Sequence, residues 1–219
     1  MSLNRRHRFL KRSFDIVFSI LGLSATGWLI GLAMVGASIS TKKLSLFRQR
    51  RMGQHGRTFE ILKIRTMRDM PGVETTVTTA HDVRITRFGR LLRKYKIDEL
   101  PQLYNVLRGD MSFVGPRPDV PELVSTLQGA DRIVLSVRPG ITGPASIKYR
   151  HEEELLAKQS NPDAYNSQVI YPDKTRINCE YVRRYRFLWD IQLLIKTLVG
   201  GGEVSLPEPD GSRVRDRAA

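Results

Sequence analysis

The chain has 219 residues, a single cysteine and a net charge of +14 at pH 7. That length suits one catalytic domain with an appendage and excludes two full-sized domains. Lone Cys179 excludes an internal disulfide framework or a cysteine-rich zinc site, and the excess of Lys and Arg favours anionic partners such as nucleic acid, lipid headgroups or phosphorylated small molecules.

The first predicted element is a membrane segment. Ile16 to Thr41 runs 26 residues without a charge, enough to reach across a hydrocarbon core of about 30 Å. It is too long for a cleaved signal peptide, and the residues after it are basic rather than a small-residue cleavage site. Arg5, Arg6, Arg8, Lys11 and Arg12 precede it; Lys42, Lys43, Arg48, Arg50 and Arg51 come after it. Positive flanks mark the cytoplasmic side, so a simple span violates the rule at one end and a re-entrant hairpin at neither. Ser24-Ala25-Thr26-Gly27 offers a breaking point, because glycine loosens a helix and hydroxyls can bond freed carbonyls. The expectation is a re-entrant anchor over residues 1–41, with a span as the alternative, and a catalytic domain over 42–200.

Residues 44–49 and 57–65 read as a β-hairpin around Gly53-Gln54-His55-Gly56, with Phe59, Ile61 and Lys63 sharing a face. Residues 71–80 read as a polar surface loop. From Arg84 to Lys96 there are six basic residues and no acid. Arg84, Arg87, Arg90 and Arg93 recur every third residue, a basic stripe on a predicted helix that would meet anionic headgroups. The stripe ends at Asp98-Glu99. A helix is predicted from Asp98 as N-cap to Arg108, stopped by Gly109, burying Leu100, Leu103, Tyr104 and Leu107. Gly115-Pro116-Arg117-Pro118 and Arg138 to Pro144 read as rigid turns able to hold a cationic side chain. Helices are predicted near 121–128 and 152–159, then a partly amphipathic one over 178–199; the tail from 201 to 219 has a disordered composition. The expected class is α+β, mainly helical, with a small β-hairpin and surface-lying amphipathic helices around a catalytic helix.

Neighbouring residues on a helix point about 100° apart, so Asp98 and Glu99 cannot face each other across a substrate. They need different roles. A helix start favours an ionised carboxylate and attracts a phosphate. Those two anions repel unless cations intervene, and Arg93, Arg117, Arg138 or a divalent metal can supply them.

Seven blocks then occur in order: Lys11-Arg12-x-Phe14-Asp15, Phe47-Arg48-Gln49-x-Arg51-x-Gly53, Phe59-x-Ile61-x-Lys63-x-Arg65-Thr66-Met67, Arg84-Ile85-Thr86-Arg87-Phe88-Gly89, DELPQLYNVLRGDMS from Asp98 to Ser112, Gly115-Pro116-Arg117-Pro118, and Arg138-Pro139-Gly140-Ile141-Thr142-Gly143. From Lys11 to Val199 the chain resembles the bacterial sugar transferases, the monotopic polyprenyl-phosphate hexose-1-phosphate (phosphoglycosyl) transferases. The resemblance implies transfer of a sugar-1-phosphate from a UDP-sugar donor to a polyprenyl phosphate such as undecaprenyl phosphate, at the cytoplasmic face of the bacterial inner membrane, with Mg2+ assisting. It implies that Asp98 is the nucleophile of a covalent phosphosugar intermediate and a metal carboxylate, and that Glu99 is essential in a metal or acid–base role. It implies that Arg93 is an active-site arginine, and it puts Arg117 in the family's Pro-Arg-Pro block. Position and charge add Lys63 and Arg138 as phosphate-side candidates; Asp15 reads as structural, at the entrance of the membrane segment.

Three departures touch this resemblance. No proline breaks the segment from Ile16 to Thr41, Pro144-Ala145-Ser146-Ile147 stands where many relatives carry Trp-Ala-Gln-Val, and Asn178 replaces a frequent aspartate. The last two bear on sugar or nucleotide identity. A competing reading is a membrane-tethered basic protein that binds nucleic acid or anionic lipid through the Arg84–Lys96 stripe, but no RNA-type aromatic platform or DNA-reading motif is present. A third, an inactive scaffold, sits poorly with retained Asp98, Glu99, Arg93 and Arg117. Nucleic acid is not expected as a partner, and homo-oligomerisation is left open.

Overall fold

The computed structural model describes residues 5–70, 78–79 and 82–200. Most of the predicted 71–80 loop, and the tail from 201 onward, fall outside the described residues.

The long helix α1 (Arg5–Thr41, 37 residues) is unbroken. The expected break at Ser24–Gly27 does not occur: Thr26 Oγ1 donates to Gly22 O at 2.7 Å, an i−4 bond inside a continuous helix. With no proline to remove a backbone donor, nothing in that tetrapeptide forces a kink. Its length and hydropathy suffice to cross a membrane, and only 11% of its most apolar window is buried. The burial is segregated. Lys11, Asp15 and Ser19 are buried near one end, and Ala33, Ala37 and Thr41 near the other. From residue 20 to residue 32 no position is buried, and Leu21, Trp28 and Leu32 stand 57%, 68% and 63% exposed.

Strands β1 (Leu46–Met52) and β2 (Thr58–Ile64) form the predicted antiparallel hairpin, with Leu46 opposite Ile64 and Met52 opposite Thr58. Phe59 and Ile61 pack on Val106 and Met111. Helix α2 (Arg87–Lys94) is capped by Thr86, whose Oγ1 accepts from Gly89 N at 2.9 Å. Arg84 therefore lies outside the helix, bonded to Asp82, and only Arg87, Arg90 and Arg93 of the expected stripe are helical. Helix α3 (Gln102–Arg108) is shorter than predicted, with Pro101 at its N-cap. Asp98 is not a cap; it belongs to a 3₁₀ turn over Ile97–Glu99. The buried face of α3 is Gln102, Leu103, Asn105 and Val106, whereas Tyr104 is 50% exposed. Leu103 is buried as expected, and polar Asn105 joins that face because β2 offers it backbone partners, Leu62 N and Glu60 O.

Strands β3 (Ser112–Val114) and β4 (Gly140–Thr142) pair in parallel, an arrangement the sequence pattern does not announce. Short helices α4 (Pro121–Ser125), α5 (Pro144–Lys148), α6 (Glu152–Ala157) and α7 (Pro162–Tyr165) come next. The predicted last helix is two: α8 (Tyr171–Arg183) and α9 (Phe187–Val199), separated where Arg186 is extended. The split lets Tyr181, Trp189 and Leu193 close the main core with Val114, Val137 and Ile147.

The Lys11–Asp15 block joins α1 to this body. Lys11 Nζ donates to Asp190 Oδ2 at 2.5 Å and to Val114 O at 2.8 Å. Asp190 also accepts from the hydroxyls of Tyr181 at 2.6 Å and Tyr185 at 2.9 Å. Asp15 accepts from Ser112 Oγ and Phe113 N, consistent with its structural reading. Arg12 donates to Val106 O and Leu107 O, both at 2.7 Å, satisfying carbonyls at the C-terminal end of α3.

Candidate active site

Four local features assemble the site. Lys96 adopts the left-handed conformation, φ 55°, which takes roughly 1–2 kcal/mol for a residue bearing a Cβ. It turns the chain out of α2 directly into the 3₁₀ turn that carries Asp98 and Glu99. Asn105 then fixes α3 to β2: its Oδ1 accepts from Leu62 N at 3.0 Å and its Nδ2 donates to Glu60 O at 2.8 Å. That lock brings Lys63 of β2 against Glu99, with Nζ 3.2 Å from Oε1.

Arg117 arrives on the loop after β3. Gly115 N donates to Thr142 O at 2.9 Å and Gly140 N to Pro116 O at 2.8 Å. A Cβ on Gly115 would lie 2.5 Å from Arg138 O, and one on Gly140 would lie 2.1 Å from Gly115 N. Only glycine permits that approach, and the prolines on either side of Arg117 stiffen the result. The guanidinium bonds Glu99 Oε1 at 2.5 Å and Oε2 at 3.4 Å.

The two acids are consequently in opposite electrostatic situations. Burial disfavours the charge on Glu99, but Arg117 and Lys63 outweigh it and hold the carboxyl well below the usual range. Asp98 is only 7% exposed, and its Oδ1 has no hydrogen-bond partner among the described residues. Burial, then the charge of Glu99, push its pKa up, against the pull of Lys63, Arg93 and Lys96. Lys63 is itself lowered by burial, with Glu99 opposing. Neighbouring carboxyls driven apart in this way are suited to different roles: Glu99 is bonded to two cations, and Asp98 presents a buried oxygen without a hydrogen-bond partner among the described residues.

Of the sequence candidates, the structure therefore gathers Asp98, Glu99, Lys63 and Arg117. Arg93 acts on Asp98 through its charge, but its guanidinium is bonded to Glu153 of α6. Arg138 is not gathered: its Nε donates to Gly109 O at 2.8 Å, at the opposite end of α3 from the acidic turn. Residues that sequence reasoning missed surround the loop. Arg51 donates to Gln49 Oε1 and, at 3.3 Å, to Pro118 O. Asp119 is raised by burial, with Lys174, Arg51 and Arg117 opposing. Arg51 stands in one of the seven blocks; Asp119 and Glu153 carry no local signal. Behind the loop, Arg117, Asp119, Thr175 and Asn178 line a cavity of about 30 Å³, and Asn178 Oδ1 has no partner among the described residues.

Comparison with known proteins gives this arrangement its context. A family model described as bacterial sugar transferase matches residues 6–201. The chain is 33% identical over 204 residues to "Exopolysaccharide production protein ExoY" of Sinorhizobium fredii (strain NBRC 101917 / NGR234), covering 86% of this chain and 83% of that one. It is 33% identical over 189 residues to "Uncharacterized sugar transferase EpsL" of Bacillus subtilis (strain 168), covering 86% and 85%. It is 32% identical over 200 residues to "UDP-glucose:undecaprenyl-phosphate glucose-1-phosphate transferase" of Escherichia coli (strain K12), covering 89% of this chain and 40% of that longer protein. The match places the chain in a family and a reaction type: it belongs to the bacterial sugar transferases, and it is a transferase.

Proposed function

We propose that this transferase moves a sugar-1-phosphate from a UDP-sugar to a polyprenyl phosphate, undecaprenyl phosphate being the acceptor named for several relatives, through a covalent intermediate on Asp98. The observation that carries the reading is a buried Asp98 with an unbonded oxygen beside a Glu99 fully engaged by Lys63 and Arg117. In the first step an Asp98 oxygen attacks the sugar-bearing phosphorus; a P–O bond of the diphosphate breaks and UMP leaves with that electron pair. In the second an oxygen of the lipid phosphate attacks the same phosphorus, and the Asp98 carboxylate departs unchanged. Dividing one displacement between two anions into two steps is what a nucleophilic carboxylate achieves. Lys63 and Arg117, fixed by Glu99, face the phosphate charge without reorganising when it arrives.

Magnesium fits one side of this site. Asp98 offers an unpartnered carboxylate oxygen, whereas both Glu99 oxygens already hold cations, and no group of three His, Cys, Asp or Glu side chains stands together among the described residues. Such a donor set suits an ion that takes most of its oxygens from phosphates and water. Asp98 would hold it; Glu99, to which the resemblance gives a metal or acid–base role, here bonds Lys63 and Arg117. When bound, the ion neutralises phosphate charge.

The docking of α1 supports placement of the catalytic domain at a single membrane face. Both ends of the helix pack on the same body, through Lys11 and Asp190 at one and through Ala33, Ala37, Ile64 and Leu92 at the other. A crossing helix would set those ends on opposite sides of about 30 Å of hydrocarbon. Both flanks are basic, so that face is the cytoplasmic one.

The test is a panel of UDP-sugars assayed for UMP release with undecaprenyl phosphate, paired with intact-protein mass measurement on donor alone. A phosphosugar adduct in the wild type that disappears in Asp98→Asn supports the mechanism; full activity in Asp98→Ala overturns it.

A further inference from the structure

We infer that Glu153 is an internal competitor for the donor phosphates, occupying the guanidinium of Arg93 until a substrate anion displaces it. The inference rests on the reading of the site as a phosphate-transfer centre and adds a residue outside every block that defined it.

Three observations carry it. Arg93 stands in the last turn of α2, on the approach to the acidic turn, and its charge reaches the Asp98 carboxyl. Its Nη2 is bonded to Glu153 Oε1, 60 residues along the chain. Lys63 and Arg117 are tied to Glu99, the neighbour of Asp98, whereas Glu153 sits on a different helix and its side chain is 44% exposed.

The chemistry of α6 makes the contact exchangeable. Its first turn is Glu152, Glu153 and Glu154. Glu152 is held by Lys174 at 2.6 and 2.7 Å, and Glu154 contacts His151 on its own turn. Glu153 alone of the three crosses to α2 among the bonds described. Ion pairs with a solvent-exposed partner are worth about 0–1 kcal/mol, whereas a diphosphate presents several anionic oxygens to a planar fork that binds phosphate with two parallel bonds. A carboxylate in that position keeps Arg93 oriented and neutralised without a substrate, and yields to a ligand of higher charge. The pairing therefore weakens donor affinity by the free energy of one exposed ion pair and leaves the chemical step alone.

The experiment uses the full chain in detergent, with UDP and Mg2+ as the binding probe and a UDP-sugar in the assay. Glu153→Gln and Glu153→Ala should each bind UDP about two- to five-fold more tightly than the wild type, the fold-change that loss of up to about 1 kcal/mol of competition gives. The KM for donor should fall by a similar factor with kcat unchanged, and the gain should vanish in an Arg93→Gln background, as coupling between contacting residues requires. UDP affinity that is equal or weaker in both variants overturns the inference. Absence of a phosphosugar adduct in a wild type that still binds UDP overturns the earlier mechanism and leaves this one standing.

Discussion

Arg117 grips Glu99 with both terminal nitrogens, at 2.5 Å to one carboxylate oxygen and 3.4 Å to the other. Lys63 shares the first of those oxygens, so both oxygens of this buried acid are committed to cations of the protein itself.

Replacing Arg117 removes that fork. Arg117→Ala is expected to lower kcat/KM about 10²–10³-fold, the range seen when one preorganised charge donor is lost. Arg117→Lys restores a point charge without the two-pronged geometry and should recover only part of the loss. Equal activity of the lysine variant and the wild type would show that charge alone suffices.

Asp190 carries the junction between α1 and the domain. It accepts from Lys11, Tyr181 and Tyr185. Asp190→Ala leaves a buried ammonium unpaired and should lower stability by about 3–5 kcal/mol, read by denaturant unfolding in detergent. The double variant Lys11→Met with Asp190→Leu should be less destabilised than Asp190→Ala, because no charge is left stranded. A double variant worse than the single one would contradict this account.

Cys179 provides a pH-sensitive reporter. Burial, aided by nearby Asp131, pushes its thiol from an ordinary 9.0 to about 11. A pKa raised in the folded state adds stability that is full below the unfolded value and is lost as pH rises through the folded one. Stability should therefore decline between about pH 9 and pH 11 in the wild type and less so in Cys179→Ala. Iodoacetamide at pH 8 should modify the folded protein slowly and the unfolded protein fully; rapid stoichiometric labelling of the folded form would refute the assignment.

The membrane arrangement is checked by introducing cysteines at positions 4 and 45 in a Cys179→Ala background. Both should be shielded from an impermeant reagent in intact cells and react after permeabilisation. Labelling of either site from outside would place the two ends of α1 on opposite sides.

Features legible in the sequence were local or repeated as blocks. The β-hairpin is legible in Gly53–Gly56 between alternating strands, and Lys63 and Arg117, both singled out by charge and setting, meet at Glu99. Features that depended on distant partners were not legible. Lys11 meets Asp190 across 179 positions and Arg93 meets Glu153 across 60. The α8–α9 break has neither glycine nor proline at Arg184–Arg186; across it, Asp190 of α9 accepts from the hydroxyls of Tyr181 and Tyr185. Asp98 looked like a helix cap because its type is right for one, but Pro101 starts α3 a few residues later. Arg138 looked like a phosphate ligand from its charge and rigid setting, yet a backbone carbonyl claimed it.

Arg12 has a consequence for how such a protein can be handled. Its two bonds cap the very helix whose other end leads back to Asp98 and Glu99. Removing residues 1–41 to obtain a water-soluble fragment would take the Arg12 guanidinium from the carbonyls of Val106 and Leu107, leaving Val106 O only Gly109 N, and would uncover the surface on which Ala33 and Ala37 rest. Helix α1 is thus a structural wall of the catalytic unit, and exchanging it for a foreign apolar helix of equal length should disable the enzyme.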